Sequence, residues 1–498
     1  MNGNFLLLIL IPMVTAFLIP LADIIYDKIR RILVITAVCG ELMISIILLI
    51  YNYKSIYIGG LLIEYKMGGW LSSLGITLVL DNLSLFFTTL ISLSLFLIIF
   101  YSIGFIGHHE GKYYVLLFLL LAAMQGAVLT GDIFNLYVFI ELITITSAAL
   151  VAFKRNREAA EAAFKYLLYG VIGGLIFFIG VFLIYYNLGS LNMSIISNRF
   201  INIDSGMQYT IIIFFLTSLF IKAGIFPFHY WLPKENSACT APINAVLSGV
   251  LLKVFIYLFF RLFWKVFDYS IIMEINLNTF IIFIGLLSST IGHFLALRED
   301  DIRRLLGFST IGHIGMIVAV IALNTNAGIF GGLMHVISHS VMKATLFVVT
   351  GYILQYTGSS HIADFNGVAY KNQGIFIAFI LAAMGMIGIP PLPGFFSKWY
   401  IISAFIGSGH YFAAFLIIIL SVISIFYYLR YIFRGYNLID YERGIKPQKA
   451  GLVLSVFYRE RIVVGVAYTY TFIMILSGVL FWTLRQPLLA IIDIIIGG

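Results

Sequence analysis

Four lysines stand where lysine is expensive. Lys222 follows the almost uncharged run 209–221, and Lys253 sits in the middle of AVLSGVLLKVFIYLFF. Lys343 ends the series His335, His339, Lys343, and Lys398 comes just after a cluster of prolines. Two acids are equally stranded: Glu141 within IFNLYVFIELITITSAAL, and Glu41 within the apolar stretch 32–51. A spacing of four puts His335, His339 and Lys343 on one face of a helix. Groups of this kind suit proton transfer, because imidazole titrates near pH 6.5 and a lysine taken out of water exchanges its proton more readily. His-x-x-x-His on a helix can also hold zinc. Here no HExxH glutamate accompanies it, the two cysteines Cys39 and Cys239 are far apart, and the next group on that face is a cation. A dication beside an ammonium is unfavourable, so neither a metal nor a bound cofactor is expected. The plainer reading of such groups is quiet pairing that fixes helix packing, and for Glu41 both readings stand.

These side chains need elements that bury them. The chain has 498 residues, 61% hydrophobic and 10% charged, against about 45–50% apolar and about 25% charged for a soluble domain. That excludes a water-soluble globular enzyme, a disordered chain, and a collagen-like or disulfide scaffold. Apolar runs of about 18 residues or more mark transmembrane helices. They fall near 5–22, 32–51, 76–105, 113–130, 133–153, 164–186 and 209–228. The rest fall near 242–264, 279–297, 306–323, 328–354, 375–406, 411–433 and 463–484. The expectation is an all-α polytopic membrane protein of about 14 transmembrane helices. The spans 76–105 and 375–406 are long, which calls for tilt or a break.

Basic loops stay cytoplasmic. With the N-terminus outside, eighteen lysines and arginines fall in cytoplasmic loops, among them Lys28, Lys234, Lys371, Arg443, Lys446 and Lys449. Five fall on the other side: Lys54, Lys66, Arg199, Lys265 and Arg485. Both termini are therefore expected outside, and the net charge of +8 reads as topology with no nucleic-acid partner. Lys165 lies one turn into its helix beside Glu158 and Glu161, while Arg261 and Arg430 lie near helix ends. All three are expected to reach the interface, where long basic side chains snorkel.

Six of the ten prolines fall in two windows, GIFPFHYWLPKENSACTAP and GIPPLPGFF. Proline removes a backbone donor and breaks a helix. Unpaired backbone at membrane depth is tolerated where protein or a water-filled cavity satisfies it. Lys222 precedes the first break and Lys398 follows the second. Interrupted helices in corresponding positions of two halves point to an internally repeated transporter with its ion sites at the breaks.

Six segments carry a family resemblance: GDIFNLYVFIE (131–141), KAGIFPFHYWLP (222–233), AVLSGVLLK (245–253), DIRRLLGFSTIGHIG (301–315), HVISHSVMKATLF (335–347) and PPLPGFFSK (390–398). The chain resembles the antiporter-like subunits of respiratory complex I and of Mrp-type multisubunit cation/proton antiporters. GDIFNLYVFIE is most like the segment in the Mrp D protein and its membrane-bound hydrogenase relatives. The resemblance implies two inverted five-helix repeats, helices 4–8 and 9–13, with helices 7 and 12 broken. It divides the chain into 1–110 (helices 1–3), 111–267 (first repeat), 268–435 (second repeat) and 436–498 (a cytoplasmic loop and helix 14). Glu141 and Lys222 match the glutamate–lysine pair of helices 5 and 7, and Lys253 the central lysine of helix 8. His335, His339 and Lys343 match the polar stretch of helix 11, and Lys398 the lysine of helix 12. Many relatives carry an Asp/Lys-Ala-His sequence after WLP, where this chain has Lys234, Glu235 and Asn236. The role of that histidine is open here.

The implied mechanism is charge-coupled: Glu141 holds Lys222 protonated, and weakening the pair sends the proton through His335 or His339 to Lys253, Lys343 and Lys398. Three readings remain at this level: an ion-translocating subunit of a cation/proton antiporter, the pump module of a redox complex such as a hydrogenase or NADH-quinone oxidoreductase, and a structural anchor. Only the second would make the chain part of an enzyme, with redox centres in partner subunits. The implied partners are other membrane subunits, the bilayer and protons, with Na+ as the other candidate ion. The implied setting is the cell membrane of a prokaryote.

Overall fold

A computed structural model describes residues 3–52, 61–106, 110–437 and 455–481, together with 483, 485, 488 and 489. Fourteen helical segments follow the order expected. They are α1 (Leu7–Ile25), α2 (Asp27–Tyr51), α3 (Asn82–Phe105), α4 (Glu110–Leu129), α5 (Ile133–Val151) and α6 (Arg157–Leu188). In α7, two half-helices, Ser205–Ala223 and Trp231–Ala238, are separated by a break. Next come α8 (Ala241–Lys265), α9 (Leu277–Arg298), α10 (Ile302–Ile321) and α11 (Asn326–Thr357). α12 is split into Gln373–Ile387 and Pro393–Gly407, and α13 (Tyr411–Gly435) and α14 (Ser455–Val479) complete the chain. Among the described residues, thirteen helices are long and apolar enough to cross a membrane. α12 falls short of that length because its halves are separate.

One element departs from expectation. The run 76–105 opens not as helix but as a strand, β2 (Thr77–Asp81), paired antiparallel with β1 (Leu62–Lys66) in the register Leu62 to Asp81. A short apolar strand leading straight into an apolar helix has no boundary in hydropathy. Asp81 supplies the boundary: it caps α3 by accepting from Ser84 N at 2.8 Å, and Ser84 Oγ accepts from Asp81 N at 2.7 Å. The hairpin also holds the α4–α5 turn, since Thr77 O accepts from Gly131 N at 2.8 Å.

The helices are positioned by their ends. Asp132 caps α5 and Asp301 caps α10, each accepting from backbone N–H groups of the first turn. Asp132 pairs across a backbone bridge with Asn192, just past α6, and Asp301 with His361, just past α11. The offset from Asp132 to Asp301 equals that from Asn192 to His361. α6 and α11 both run 32 residues, and a left-handed glycine ends each of them, Gly189 (φ 63) and Gly358 (φ 73). α8 and α11 run through the protein interior: the apolar windows of these helices are 100% and 94% buried, against 28% for α2. The two interior helices are the ones that carry Lys253 and Lys343.

Of the loop expected over 434–462, residues 438–454 lie outside the described residues, as do the basic residues Lys54, Arg443, Lys446 and Lys449, while α14 already begins at Ser455. Arg261 overturns its expectation. Instead of reaching the interface it is buried, with Nη1 2.7 Å from Asp81 Oδ2 and Nε donating to Tyr257 Oη at 2.8 Å. The hairpin brings Asp81 to the end of α8, a partner that sequence separation conceals. Arg430 pairs with Asp300 and remains part exposed near the end of α13.

Candidate functional site

Glu141 and Lys222 meet. Lys222 Nζ donates to Glu141 Oε1 at 3.1 Å and to Thr144 Oγ1 at 2.7 Å. The lysine side chain is 3% exposed and the glutamate 22%. Two glycines of α6 open the space between α5 and α7. A Cβ at Gly174 would lie 1.8 Å from Glu141 Oε1, and one at Gly173 would lie 3.3 Å from Lys222 Cε. Lys222 stands in the last turn before the break, where Gly224 turns left-handed (φ +66). The negative end of a helix dipole favours a cation there.

Lys253 lies fully buried on α8, just past a π-helical turn, Leu247–Leu251. Such turns free carbonyls from the regular ladder, and Lys253 Nζ donates to Ser248 O within this one. Ser248 Oγ in turn donates to Asn236 Oδ1 at 3.2 Å, which ties the central lysine to the second half of α7. Ser340 of α11 donates to Gly249 O, so the same turn faces the helix carrying the histidines. Lys253, Lys343 and His339 lie within electrostatic reach of one another.

Beyond Lys253 the line continues as a cluster of four histidines. His335 Nε2 and His313 Nδ1 are 2.9 Å apart, and His335 Nδ1 is 2.9 Å from Ser397 Oγ. The His313 ring centroid is 5.1 Å from His335, 5.2 Å from His339 and 5.2 Å from His293. His293 Nδ1 faces Ser289 O at 2.8 Å; a carbonyl only accepts, so that nitrogen carries the proton. In Ser397–His335–His313 each member can donate or accept, which lets the proton order along it reverse without moving heavy atoms. Both nitrogens of His335 are engaged in this way.

The remaining two lysines are anchored by backbone. Lys343 Nζ donates to Leu306 O at 2.9 Å. Lys398 Nζ donates to Met386 O at 2.8 Å, Ile387 O at 3.0 Å and Ser421 Oγ at 3.1 Å. Met386 and Ile387 end the first half of α12, so the broken helix presents its unpaired carbonyls to the ammonium. Lys398 directly follows Ser397, the hydroxyl that meets His335.

The seven expected site residues thus form a pair, Glu141–Lys222, and a group formed by Lys253, His335, His339, Lys343 and Lys398. Glu41 joins neither: its carboxyl accepts from Gln125 Nε2 at 2.9 Å, between α2 and α4. Sequence reasoning passed over His293, His313, Ser397 and Thr144. A signal for the histidines was present, since Ser-Thr-Ile-Gly-His occurs at 289–293 and again at 309–313. The glycine in each copy explains it: a Cβ at Gly292 would lie 2.5 Å from Gly312 N, and one at Gly312 would lie 2.4 Å from His293 Nδ1. The two copies pack α9 onto α10 and bring the imidazoles together.

Comparison with known proteins identifies relatives of the chain in sequence and in fold. Residues 130–424 match the family described as NADH:quinone oxidoreductase/Mrp antiporter, TM. Among curated relatives, the D component of the Na(+)/H(+) antiporter of Alkalihalophilus pseudofirmus is 31% identical over 438 residues, covering 86% of this chain and 87% of its own. The N component of the NADH-quinone oxidoreductase of Desulforudis audaxviator is 30% identical over 381 residues, 75% of each chain. Among solved structures, a chain of the archaeal membrane-bound sulfane sulfur reductase superposes with a TM-score of 0.89 at 25% identity, over 100% of this chain and 98% of that one. A chain of the Mrp complex of Dietzia sp. gives 0.86 at 21% identity, over 99% and 97%. The matched segment takes in every one of the buried lysines and histidines described above, and the chain belongs to the NADH:quinone oxidoreductase/Mrp antiporter transmembrane family.

Proposed function

We propose that this chain is an ion-translocating subunit of a multisubunit membrane complex, and that it moves protons along Glu141, Lys222, Lys253, His335, His339, Lys343 and Lys398. The observation that carries the reading is the Glu141–Lys222 pair, held at 3.1 Å beside the break in α7. Lys222 keeps its proton while Glu141 is near. When a charge or conformational change draws Glu141 away, the ammonium is left desolvated and releases its proton toward Lys253. The histidine chain then carries it to Lys343, held by the Leu306 carbonyl, and to Lys398, whose helix-end carbonyls hold the next cation in waiting. Moving one charge against 100 mV requires about 2.3 kcal/mol, less than one close ion pair in a poorly polarisable site contributes.

The halves of the molecule read as repeats, helices 4–8 (111–267) and helices 9–13 (268–435), flanked by 1–110 and 436–498. Support comes from the matched bridges of Asp132 with Asn192 and Asp301 with His361, and from the equal lengths of α6 and α11. Five spans separate equivalent helices, so the repeats would be inverted across the bilayer. The bias of basic loops supports a cell-membrane protein with both termini outside.

The energy source divides the reading. The Na(+)/H(+) antiporter relative favours exchange of Na+ or another cation for protons, with other antiporter chains as partners. The likeness to a chain of the sulfane sulfur reductase, over the whole length, favours a pump driven by partners that carry out redox chemistry. Neither reading requires a cofactor in this chain. Purifying the native complex gently and identifying its polypeptides by mass spectrometry separates the two: small hydrophobic subunits with a second antiporter-like chain support the exchanger, and iron–sulfur or nickel proteins support the pump. In either case Lys222→Ala is expected to leave the complex assembled and abolish coupled transport. Normal transport by an assembled Lys222→Ala complex overturns the relay.

A further inference from the structure

Glu235 is a buried acid that the relay as described does not use. It lies on the second half of α7 with 0% exposure, and among the described residues neither of its carboxyl oxygens has a hydrogen-bond partner. The half-helix Trp231–Ala238 packs between α6 and α10. Gly307 of α10 makes this close approach possible, since a Cβ there would lie 2.8 Å from Asn236 Nδ2 and 2.9 Å from Pro233 Cα. Leaving a carboxylate ionised in such a place, with no donor and no cation against it, is costly. Its low-energy form carries a proton.

Its surroundings place it between the two parts of the site. Trp231, one turn before Glu235, packs edge-on against Tyr166 with ring centroids 5.0 Å apart, and Tyr166 interacts electrostatically with Glu235. Tyr166 Oη lies 2.8 Å from Ser147 Oγ, one turn along α5 from Thr144, which accepts from Lys222. On the other side, the neighbouring Asn236 accepts from Ser248, whose carbonyl receives Lys253 Nζ. Cys239, the other titratable group that senses Glu235 closely, follows one turn later and lines a cavity with Lys154, Thr240, Asn244 and Arg303. Asn244 Oδ1 and Thr240 Oγ1 are likewise buried without partners among the described residues.

We propose that Glu235 is a further proton carrier, accepting the proton that Lys222 releases and passing it to Lys253. In the step, the Lys222 ammonium loses a proton to a Glu235 carboxylate formed when Lys253 has taken the previous one, so charge is conserved along the line. The inference rests on the relay reading and adds a member to it.

The test uses the whole complex reconstituted in liposomes, with Glu235→Gln, Glu235→Asp and Lys222→Ala compared. Glu235→Gln keeps the shape and removes the exchangeable proton, and transport is expected to fall on the order of a hundredfold, with partial recovery in Glu235→Asp. The infrared band of a protonated carboxyl that responds to energisation should persist in Glu41→Gln and vanish in Glu235→Gln. Full transport by Glu235→Gln while Lys222→Ala is inactive overturns this inference and leaves the relay standing. Full transport by Lys222→Ala overturns the relay itself. If the Glu235 variants do not assemble, the band in the Glu41→Gln complex decides: its presence supports the carrier, and its absence overturns it.

Discussion

Gly174→Ala tests the coupling of Glu141 to Lys222 without touching either charge. The added methyl would stand 1.8 Å from Glu141 Oε1, whereas comfortable contact needs about 3.4 Å, so the carboxylate must retreat by about 1.6 Å. If that retreat is directed away from Lys222, the pair opens from 3.1 Å to about 4.7 Å. At an effective dielectric of about 20, the attraction falls from about 5.4 to about 3.5 kcal/mol. The loss of about 1.9 kcal/mol is on the order of a 20-fold change in the balance that holds the proton on Lys222. Coupled transport, read as dissipation of an imposed pH gradient in proteoliposomes, should slow by that order. Gly173→Ala is the control: its methyl meets Lys222 Cε at 3.3 Å and Ile221 Cγ2 at 3.1 Å, and a small adjustment relieves both. The reasoning is refuted if Gly174→Ala transports normally, or if Gly173→Ala slows transport as much in equally assembled complexes.

Two other substitutions probe the scaffold. Gly292→Ala puts a methyl 2.5 Å from Gly312 N and 2.8 Å from Gly312 Cα, so α9 and α10 must separate at a cost of about 1–3 kcal/mol. Thermal unfolding of the detergent-solubilised complex should show the loss, and proton transport should fall with it because His293 moves from His313. Asp81→Asn leaves Arg261 buried without its counter-charge, which costs about 3–5 kcal/mol in the same melting assay. The pH dependence follows from the wild type. Burial works to raise the Asp81 carboxyl, but the Arg261 guanidinium and the Ser84 N–H outweigh it and hold the group below its ordinary 3.8. Its contribution is therefore complete above that value and is lost as pH falls through the lower folded value. Melting curves at mildly acidic and neutral pH should show no change from this group, and a wild-type loss across that interval traced to Asp81 would contradict the assignment.

Much of this protein was legible from its residues. The fourteen helical segments, the breaks at the two proline windows and the seven charged or imidazole groups buried within those helices all follow from hydropathy, proline chemistry and the cost of burying charge. These are local properties, written within twenty or so residues. The Ser-Thr-Ile-Gly-His pair was also written there, but its meaning depends on two helices meeting glycine to glycine. What tertiary structure decided was partnership. Arg261 reads as an interfacial cation until the β1–β2 hairpin brings Asp81 to it, and Glu235 reads as part of a polar loop until α6 and α10 close over it. Hydropathy averages over a window and carries no azimuth, so it can place a side chain at a depth but cannot say which neighbouring helix it faces. Helix ends, glycine contacts and the breaks in α7 and α12 set those faces, and they bring a set of costly residues together as one ion pair and one cluster.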